Sequence, residues 1–344
     1  MMTEKNENSG AAERMSRMDP RAGVAEKMST RLLTVAGMLG ELPFALRLFG
    51  SKSCDDPRLA ENAKGNDCLK TGKEAGDHDF PQTYRCVADV GCDHGYVSVY
   101  LVQSSIAKSA IAMDVRSGPL AMAKGNVESF GLSDSVETRL SNGLEKLNPK
   151  EADALVIAGM GGKLMISILE KKSLSELGIR YAVLQPQSDI YEFRQFLRDN
   201  GFIVVDERIV FEDGKYYFPI KVKIPAAKSC KAFGDEGSPV GITEAPEDDD
   251  SFDIDRISDE NGITMADGIS KAIGVTDPAD LLRICNRYGE INILKKDPLL
   301  EQFLLHGREV CGSIMKSLDK QSHSDRYNEV RQEAEDIDLL LKMF

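Results

Sequence analysis

The chain has 344 residues, more than one average domain of roughly 100–200, and at 42% hydrophobic and 29% charged it is excluded from the collagen-like, mucin-like and wholly disordered classes. No stretch approaches the ~20 consecutive apolar residues of a membrane span, and the opening MMTEKNENSG lacks the apolar core of a secretory leader, so a cytoplasmic protein is expected. The net charge of −13 does not exclude a nucleic-acid partner, because residues 235–260 alone carry eleven acids and one arginine, net −10.

Residues 1–26 are polar and aperiodic and read as an unstructured tail. From Met28 to Leu39 the apolar positions Leu32, Leu33, Val35, Ala36 and Leu39 share one helical face, behind Ser29 and Thr30 as capping residues. Residues 50–81 are rich in Lys, Asp, Gly and Asn, which predicts a surface insertion in a domain spanning 27–224. Between Arg85 and Ile224 short apolar runs alternate with helical ones. The predicted strands are Val87–Val90, Ala110–Asp114, Val136–Leu140, Ala154–Ala158, Tyr181–Gln185, Phe202–Val210 and Tyr216–Lys223. Helical segments at Val97–Ser104, Pro119–Ser129 and Leu164–Glu170 separate the early strands, the pattern of βαβ units in a parallel sheet covered on both faces. Phe211–Lys215 supplies a turn containing Gly214, so the last two strands are expected to form an antiparallel hairpin at one edge. The fold expected is α/β: a doubly wound, mostly parallel, Rossmann-like sheet of the kind many methyltransferases use, ended by that hairpin.

Residues 225–275 contain the acidic run and read as a disordered linker. Residues 276–344 turn helical. Leu300, Leu304, Gly307, Cys311, Ile314 and Leu318, then Tyr327, Val330, Ala334, Ile337, Leu341 and Phe344, recur at alternating spacings of three and four. Two such seams around a polar turn at Lys320–Ser324 suit an antiparallel coiled-coil hairpin or simple bundle packing. The seven cysteines, Cys54, Cys68, Cys86, Cys92, Cys230, Cys285 and Cys311, include no C-x-x-C pair, and His78, His94, His306 and His323 lie far apart. Neither a disulfide framework nor a metal site is expected.

The segment VADVGCDHGYVSVYL at 87–101 is the most informative. Gly91 and Gly95 sit between a strand and a helix, where glycine lets backbone approach a ligand and helix amides point at it. The spacing is not G-x-G-x-x-G: Asp93 stands in place of a second glycine, and Asp89 lies two residues before the turn. Carboxylates suit a cofactor with ammonium, sulfonium and hydroxyl groups better than a pyrophosphate. Asp114 ends the next strand, where an acid binds ribose hydroxyls. The cofactor implied is S-adenosylmethionine, against the alternative of an ordinary tight turn with capping acids. Asn142 and Gly143 end the third strand, where the Asn side chain can meet an adenine edge or serve only a turn. IAGMGGKL at 157–164 and LQPQSD at 184–189 end the fourth and fifth.

DVGCDHGY, AGMGG, LQPQ and VDERIVFEDGKYY, preceded by STRLLTVAGML, together resemble the bacterial tRNA (adenine-22-N1)-methyltransferase family. The resemblance covers about 27–224, apart from the insertion, and resumes weakly over RYGEINILKKDPLLEQFL at 287–304. It implies a class I methyltransferase domain with a C-terminal helical domain that helps hold tRNA. Asp89, Gly91, Asp93, His94 and Gly95 would then line the cofactor, with Asp114, Val115, Asn142 and Gly143 around its adenosine. Ala158, Gly159, Met160 and Gly161 would complete the cofactor site, and Met160 and Gly161, then Gln185 and Pro186 as catalytic candidates with Asp93, would border the methyl-transfer centre.

Adenine N1 attacks as a neutral lone pair and the base becomes cationic, so positioning and a nearby oxygen matter more than a strong base. Asp93, with Gln185, is the candidate for that oxygen, or Asp93 is purely a cofactor ligand. His94 is either a proton shuttle or a packing residue. Tyr96 and Tyr191 are candidate stacking surfaces for an exposed base, and Arg31, Arg194, Arg198, Lys295 and Lys296 are candidate phosphate contacts or plain surface charge. A methyltransferase for another RNA, a protein or a small molecule, and a non-enzymatic adaptor, are the competing readings.

Overall fold

The computed structural model describes residues 22–45, 81, 83–225, 265–318 and 324–344. Residues 1–21 of the tail expected over 1–26, most of the insertion expected over 50–81, the acidic run 235–260 and most of the turn expected at Lys320–Ser324 lie outside them. The chain divides into two compact units, one drawn from Met1–Gly40, Thr83–Val204 and Arg208–Ser251, the other from Glu41–Gln82, Val205–Glu207 and Phe252–Phe344.

The first unit opens with a single helical turn, α1 (Ala22–Ala25), followed by α2 (Thr30–Gly40). The expected tail therefore ends early, because Val24 is fully buried. Helix α2 buries Val35, Ala36, Met38 and Leu39. Its last carbonyls are capped by a buried lysine: Lys221 Nζ donates to Met38 O at 2.6 Å and Leu39 O at 3.2 Å. A cation suits the negative end of a helix dipole.

Strands β1 (Tyr84–Val90), β2 (Ala107–Asp114), β3 (Val136–Leu140), β4 (Ala154–Met160) and β5 (Tyr181–Pro186) are parallel, and they alternate with α3 (Tyr96–Gln103), α4 (Ser117–Ser129), α5 (Gly162–Leu169) and α6 (Ile190–Asp199). β1, β2 and β5 are almost wholly buried, as strands covered on both faces must be; β4 is buried up to Ile157 and opens at its carboxyl end, and the outer β3 is half exposed. The seven-stranded sheet also contains β6 (Ile203–Glu207) and β9 (Ile220–Lys223), in the order β3-β2-β1-β4-β5-β9-β6, with β9 antiparallel to β5. The chain runs outward from β1 to β3 and returns to β4 on the other side of β1. That reversal opens a crevice at the carboxyl ends of β1 and β4.

The expected edge hairpin is present but built in two tiers. Between β6 and β9 stands a separate ribbon of β7 (Val210–Glu212) and β8 (Lys215–Tyr217). Its turn residues Asp213 and Gly214 both have positive φ, 50° and 74°, as a two-residue I′-type hairpin requires. The predicted strand Tyr216–Lys223 is interrupted at Pro219, which has no N–H for a ladder. Pro219 instead accepts a hydrogen bond from Arg208 N at 3.0 Å, closing the base of the ribbon.

In the second unit, α7 (Met265–Ile273), α8 (Pro278–Tyr288), α9 (Glu290–Lys295), α10 (Pro298–Ser317) and α11 (Ser324–Leu341) follow. The expected linker runs past the start of α7, whose Ile269 and Ile273 recur one turn apart and are buried. Asp277-Pro278 and Asp297-Pro298 each start a helix, with the Asp side chain accepting from the first-turn amides and proline at a position that needs no donor. Leu300, Leu304 and Cys311 of α10 and Val330, Ala334 and Ile337 of α11 are buried, and Gly307 lets the helices close on Ile337. The seam is not a two-helix affair throughout. Asp336, fully buried on α11, pairs with Arg283 of α8 at 2.7 Å, while Leu318 lies beyond the end of α10 and Phe344 is 40% exposed. Within the same unit Lys295 pairs with Asp206 and donates to Glu207 O at 2.6 Å. No helix among the described residues is long and apolar enough to cross a membrane.

Candidate functional site

A cavity of about 510 Å³, of the size that takes a small molecule, opens at the carboxyl ends of β1, β2 and β4. Its floor is the turn between β1 and α3. Gly91 N and Cys92 N donate to Met113 O at 2.8 and 2.9 Å, and Gly91, Asp93 and Gly95 all take positive φ. At Gly91 the φ of 75° favours glycine, and a Cβ would fall 2.1 Å from Met160 Cε, so the methionine end would have to move to make room. Asp93 tolerates the left-handed conformation as Asp does more readily than most residues.

Three carboxylates converge here. Asp89 is buried and accepts from Ser98 Oγ at 2.7 Å, and burial pushes its carboxyl up to about 6. Asp114, 4% exposed, accepts from Arg116 N at 2.8 Å and Asp93 N at 3.4 Å, so its head is held at the cavity wall by backbone. Asp93 is exposed, 3.4 Å from His94 Nε2 and 3.9 Å from Arg116 Nη2. Burial, with these three carboxylates adding to it, pushes the Cys92 thiol up, so it is not poised as a nucleophile. His94 stacks on Tyr96, ring centroids 5.9 Å apart.

The opposite wall comes from the end of β4 and the segments that follow β3 and β5. Ser141 Oγ donates to Gly143 O at 2.8 Å, shaping the turn that presents Asn142, whose amide donates to Glu145 Oε1 at 2.7 Å. β4 is irregular between Ala158 and Met160, where Gly159 takes a φ of 80°. Leu164, 55% exposed, and Ile168 of α5 complete the wall.

Of the residues singled out in the sequence, Asp89, Gly91, Asp93, His94, Asp114, Val115, Asn142, Gly143, Ala158, Gly159 and Met160 line this cavity. Gly95 and Gly161 do not, and serve packing: a Cβ on Gly95 would meet Ala123 Cβ at 3.0 Å and one on Gly161 would meet Ser188 Oγ at 3.1 Å. Gln185 and Pro186 are also outside the lining. Both are buried, because β5 is a central strand, and Gln187, two residues on and exposed, takes the place at the cavity expected of Gln185. The two glutamines are two residues apart, so the period-2 alternation of strand faces does not separate them; what does is that Gln185 lies within β5 and Gln187 lies past its end.

The candidate phosphate contacts scatter. Arg31 lines the cavity, paired with Gln185 and Glu212. Arg194 is 2% exposed with its guanidinium 5.7 Å from the Phe218 ring, since Phe193, Arg194 and Leu197 form the buried stripe of α6. Neither it nor Lys295, held by Asp206, is presented as a free surface cation. Arg198 is half-buried, and Lys296 is exposed at the end of α9. Arg116, Ser141, Leu164 and Gln187 are cavity residues that the sequence did not single out as site residues. Among the described residues no group of three His, Cys, Asp or Glu side chains is placed to hold a metal.

Residues 78–220 match the family described as "Methyltransferase domain". The chain is 40% identical over 131 residues, 38% of its own length, to tRNA (adenine(22)-N(1))-methyltransferase of Bacillus subtilis (strain 168), and 33% identical over 143 residues, 40% of its length, to a putative tRNA methyltransferase of Mycoplasma genitalium. It spans 55% and 61% of the length of these two relatives. Among solved structures, it is similar to a putative tRNA (m1A22) methyltransferase of Streptococcus pneumoniae crystallised in complex with S-adenosyl-L-methionine, with a TM-score of 0.56 and 22% identity over 91% of this chain and 99% of that one. The likeness establishes the Rossmann-like methyltransferase fold.

Proposed function

We propose that the protein is a cytoplasmic S-adenosylmethionine-dependent methyltransferase that methylates N1 of an adenine in tRNA, at position 22. The observation that carries the reading is Asp114: a buried carboxylate at the end of the second strand, fixed by two backbone amides beside a glycine turn at the sheet's switch point. That is the placement that binds a ribose diol. The relatives named above supply the acceptor.

The residues fit this cofactor. Gly91 turns the backbone at the cavity floor with a φ of 75°, and three carboxylates suit a ligand bearing sulfonium and ammonium charge. Asp114 would hold the ribose, Val115, Asn142 and Gly143 the adenine, and Asp89 with the Gly91 turn the amino-acid end. The cofactor supplies a methyl group on a positively charged sulfur. Asp93, with its side chain 59% exposed on the cavity rim, is available to offset the positive charge that adenine acquires. Gln187 is the carboxamide placed to meet the base edge, and exposed Leu164 offers it an apolar face. Because N1 lies on the pairing edge, the adenine must arrive unpaired.

Incubation of the protein with cofactor and unmodified tRNA transcripts, followed by nucleoside mass spectrometry and reverse-transcription mapping, is expected to yield 1-methyladenosine at one position. Asp114→Ala should weaken cofactor binding roughly ten- to hundredfold, the worth of one charge-assisted hydrogen bond. A methyl group on another base, on ribose, or only on protein would overturn the assignment.

A further inference from the structure

We infer that Arg31 is a positioning residue for methyl transfer, holding the bulged end of β4 in place through Gln185, rather than a contact to substrate phosphate. The inference rests on the reading just given for the site. Arg31 Nη1 donates to Gln185 Oε1 at 2.6 Å, and the same oxygen accepts from Gly159 N at 3.1 Å. The other end of the carboxamide is committed as well, with Gln185 Nε2 donating to Pro186 O at 2.9 Å. Gln185 is fully buried, so its orientation is set by these partners and the guanidinium is one of the three groups that define it.

Gly159 is the residue through which this matters. It sits in the irregular stretch of β4 with a φ of 80°, and a Cβ there would lie 3.7 Å from Arg31 Nη1, so the guanidinium lies against the glycine backbone. The next residue, Met160, reaches across to the Gly91 turn, where its Cε occupies the space of the missing Cβ. The placement of Gly159 thus sets the distance between the two glycine turns that face each other across the cavity.

Arg31 is in turn held from behind. Its Nε lies 3.8 Å from Glu212 Oε2, its backbone N donates to Glu212 Oε1 at 3.3 Å, and its guanidinium carbon is 5.1 Å from the Tyr217 ring. The β7–β8 ribbon therefore supplies the counter-charge and the stacking surface. With a side chain only 17% exposed and a carboxylate beside it, Arg31 is poorly disposed to neutralise a phosphate. Glu212 also offsets a charge that would otherwise oppose a sulfonium and a cationic product in the same cavity.

The test compares the wild type with Arg31→Ala, Arg31→Lys and Gln185→Leu in the full chain. Arg31→Ala should lower kcat about ten- to hundredfold, the loss of one charge-assisted hydrogen bond, with KM for tRNA and the salt slope of binding unchanged. Lysine should restore little, since it lacks the planar fork, whereas millimolar guanidinium should restore part of the kcat of Arg31→Ala. A double variant combining Arg31→Ala with Gln185→Leu should be no worse than the more impaired single one, because both act through the same contact. Hydrogen exchange at the Gly159 amide should speed up in Arg31→Ala with or without any acceptor present. A raised KM with unchanged kcat and a salt slope flattened by about one would make Arg31 a phosphate contact and overturn the inference. So would additive losses in the double variant, or unchanged exchange at Gly159. A wild type inert on tRNA would overturn the proposed function instead, and the exchange measurement would still decide the role of Arg31.

Discussion

Asp89 is enclosed by the sheet and α3, and its carboxyl is raised from 3.8 to about 6 chiefly by burial, against the lowering effect of Ser98. An acid whose folded value is raised binds its proton more tightly in the native state than in the unfolded one. Its contribution to stability is therefore present below about pH 4 and is lost as the pH rises through about 6. Asp89→Asn keeps an acceptor for Ser98 and removes the titration. The stability of the variant relative to the wild type should grow between about pH 4 and 6 and then level off, by up to about 3 kcal/mol for a shift of roughly two units. Denaturant melts across that range provide the comparison, and a difference independent of pH would show that Asp89 does not titrate there. A cation in the cavity would offset the cost of ionising this buried acid, and the proposed cofactor brings one.

At the scale of elements, the site depends on how closely the strand ends approach one another. Helix α5 begins at Gly162, whose N donates to Ser188 O at 3.1 Å, and a Cβ there would fall 2.5 Å from that same backbone oxygen. Gly162→Ala must push the start of α5 away from the turn after β5, and should cost about 1–3 kcal/mol as overpacking does. Gly125, in the middle of α4, has nothing within 4 Å of a Cβ. Gly125→Ala should stabilise by about 0.5–1 kcal/mol through helix propensity. Paired urea melts read both, and a Gly162 variant as stable as the wild type would mean that the junction yields more easily than its distances imply. The β7–β8 ribbon belongs to the same layer of argument: Pro219 splits the expected strand, and the split sets Glu212 and Tyr217 apart from the main sheet, in contact with Arg31.

For the molecule as a whole, the net charge of −13 and the proposed polyanionic substrate pull in opposite directions, and residues 235–260 account for −10 of that charge. Binding to tRNA should be salt-steep in spite of the acidic pI of about 5.0. Deleting 235–260 should tighten it at low salt, and the gain should fade as the Debye length falls from ~10 Å at 0.1 M towards ~3 Å at 1 M. Anisotropy titrations at two salt concentrations test this, and equal affinity at low salt would show that the acidic run does not compete with phosphate.

What the sequence determined by itself was whatever depends on neighbours along the chain. The alternation of short apolar runs with helical ones, the glycines and acids at strand ends and the turn at Asp213-Gly214 are local patterns, and they specify the parallel sheet, the cavity floor from Asp89 to His94 and the place of Asp114. Only the tertiary structure decided which side chain meets which across the fold. Arg31 lies 154 residues from Gln185 and 181 from Glu212, and no periodicity links them. Arg194 and Lys295 read as surface cations until the buried stripe of α6 and the carboxylate of Asp206 claim them, and Gln187 rather than Gln185 reaches the cavity because β5 is covered on both faces. Spacing reports which face of its own element a residue occupies; the charge or carbonyl waiting on that face belongs to another segment, brought there by the packing of the whole core.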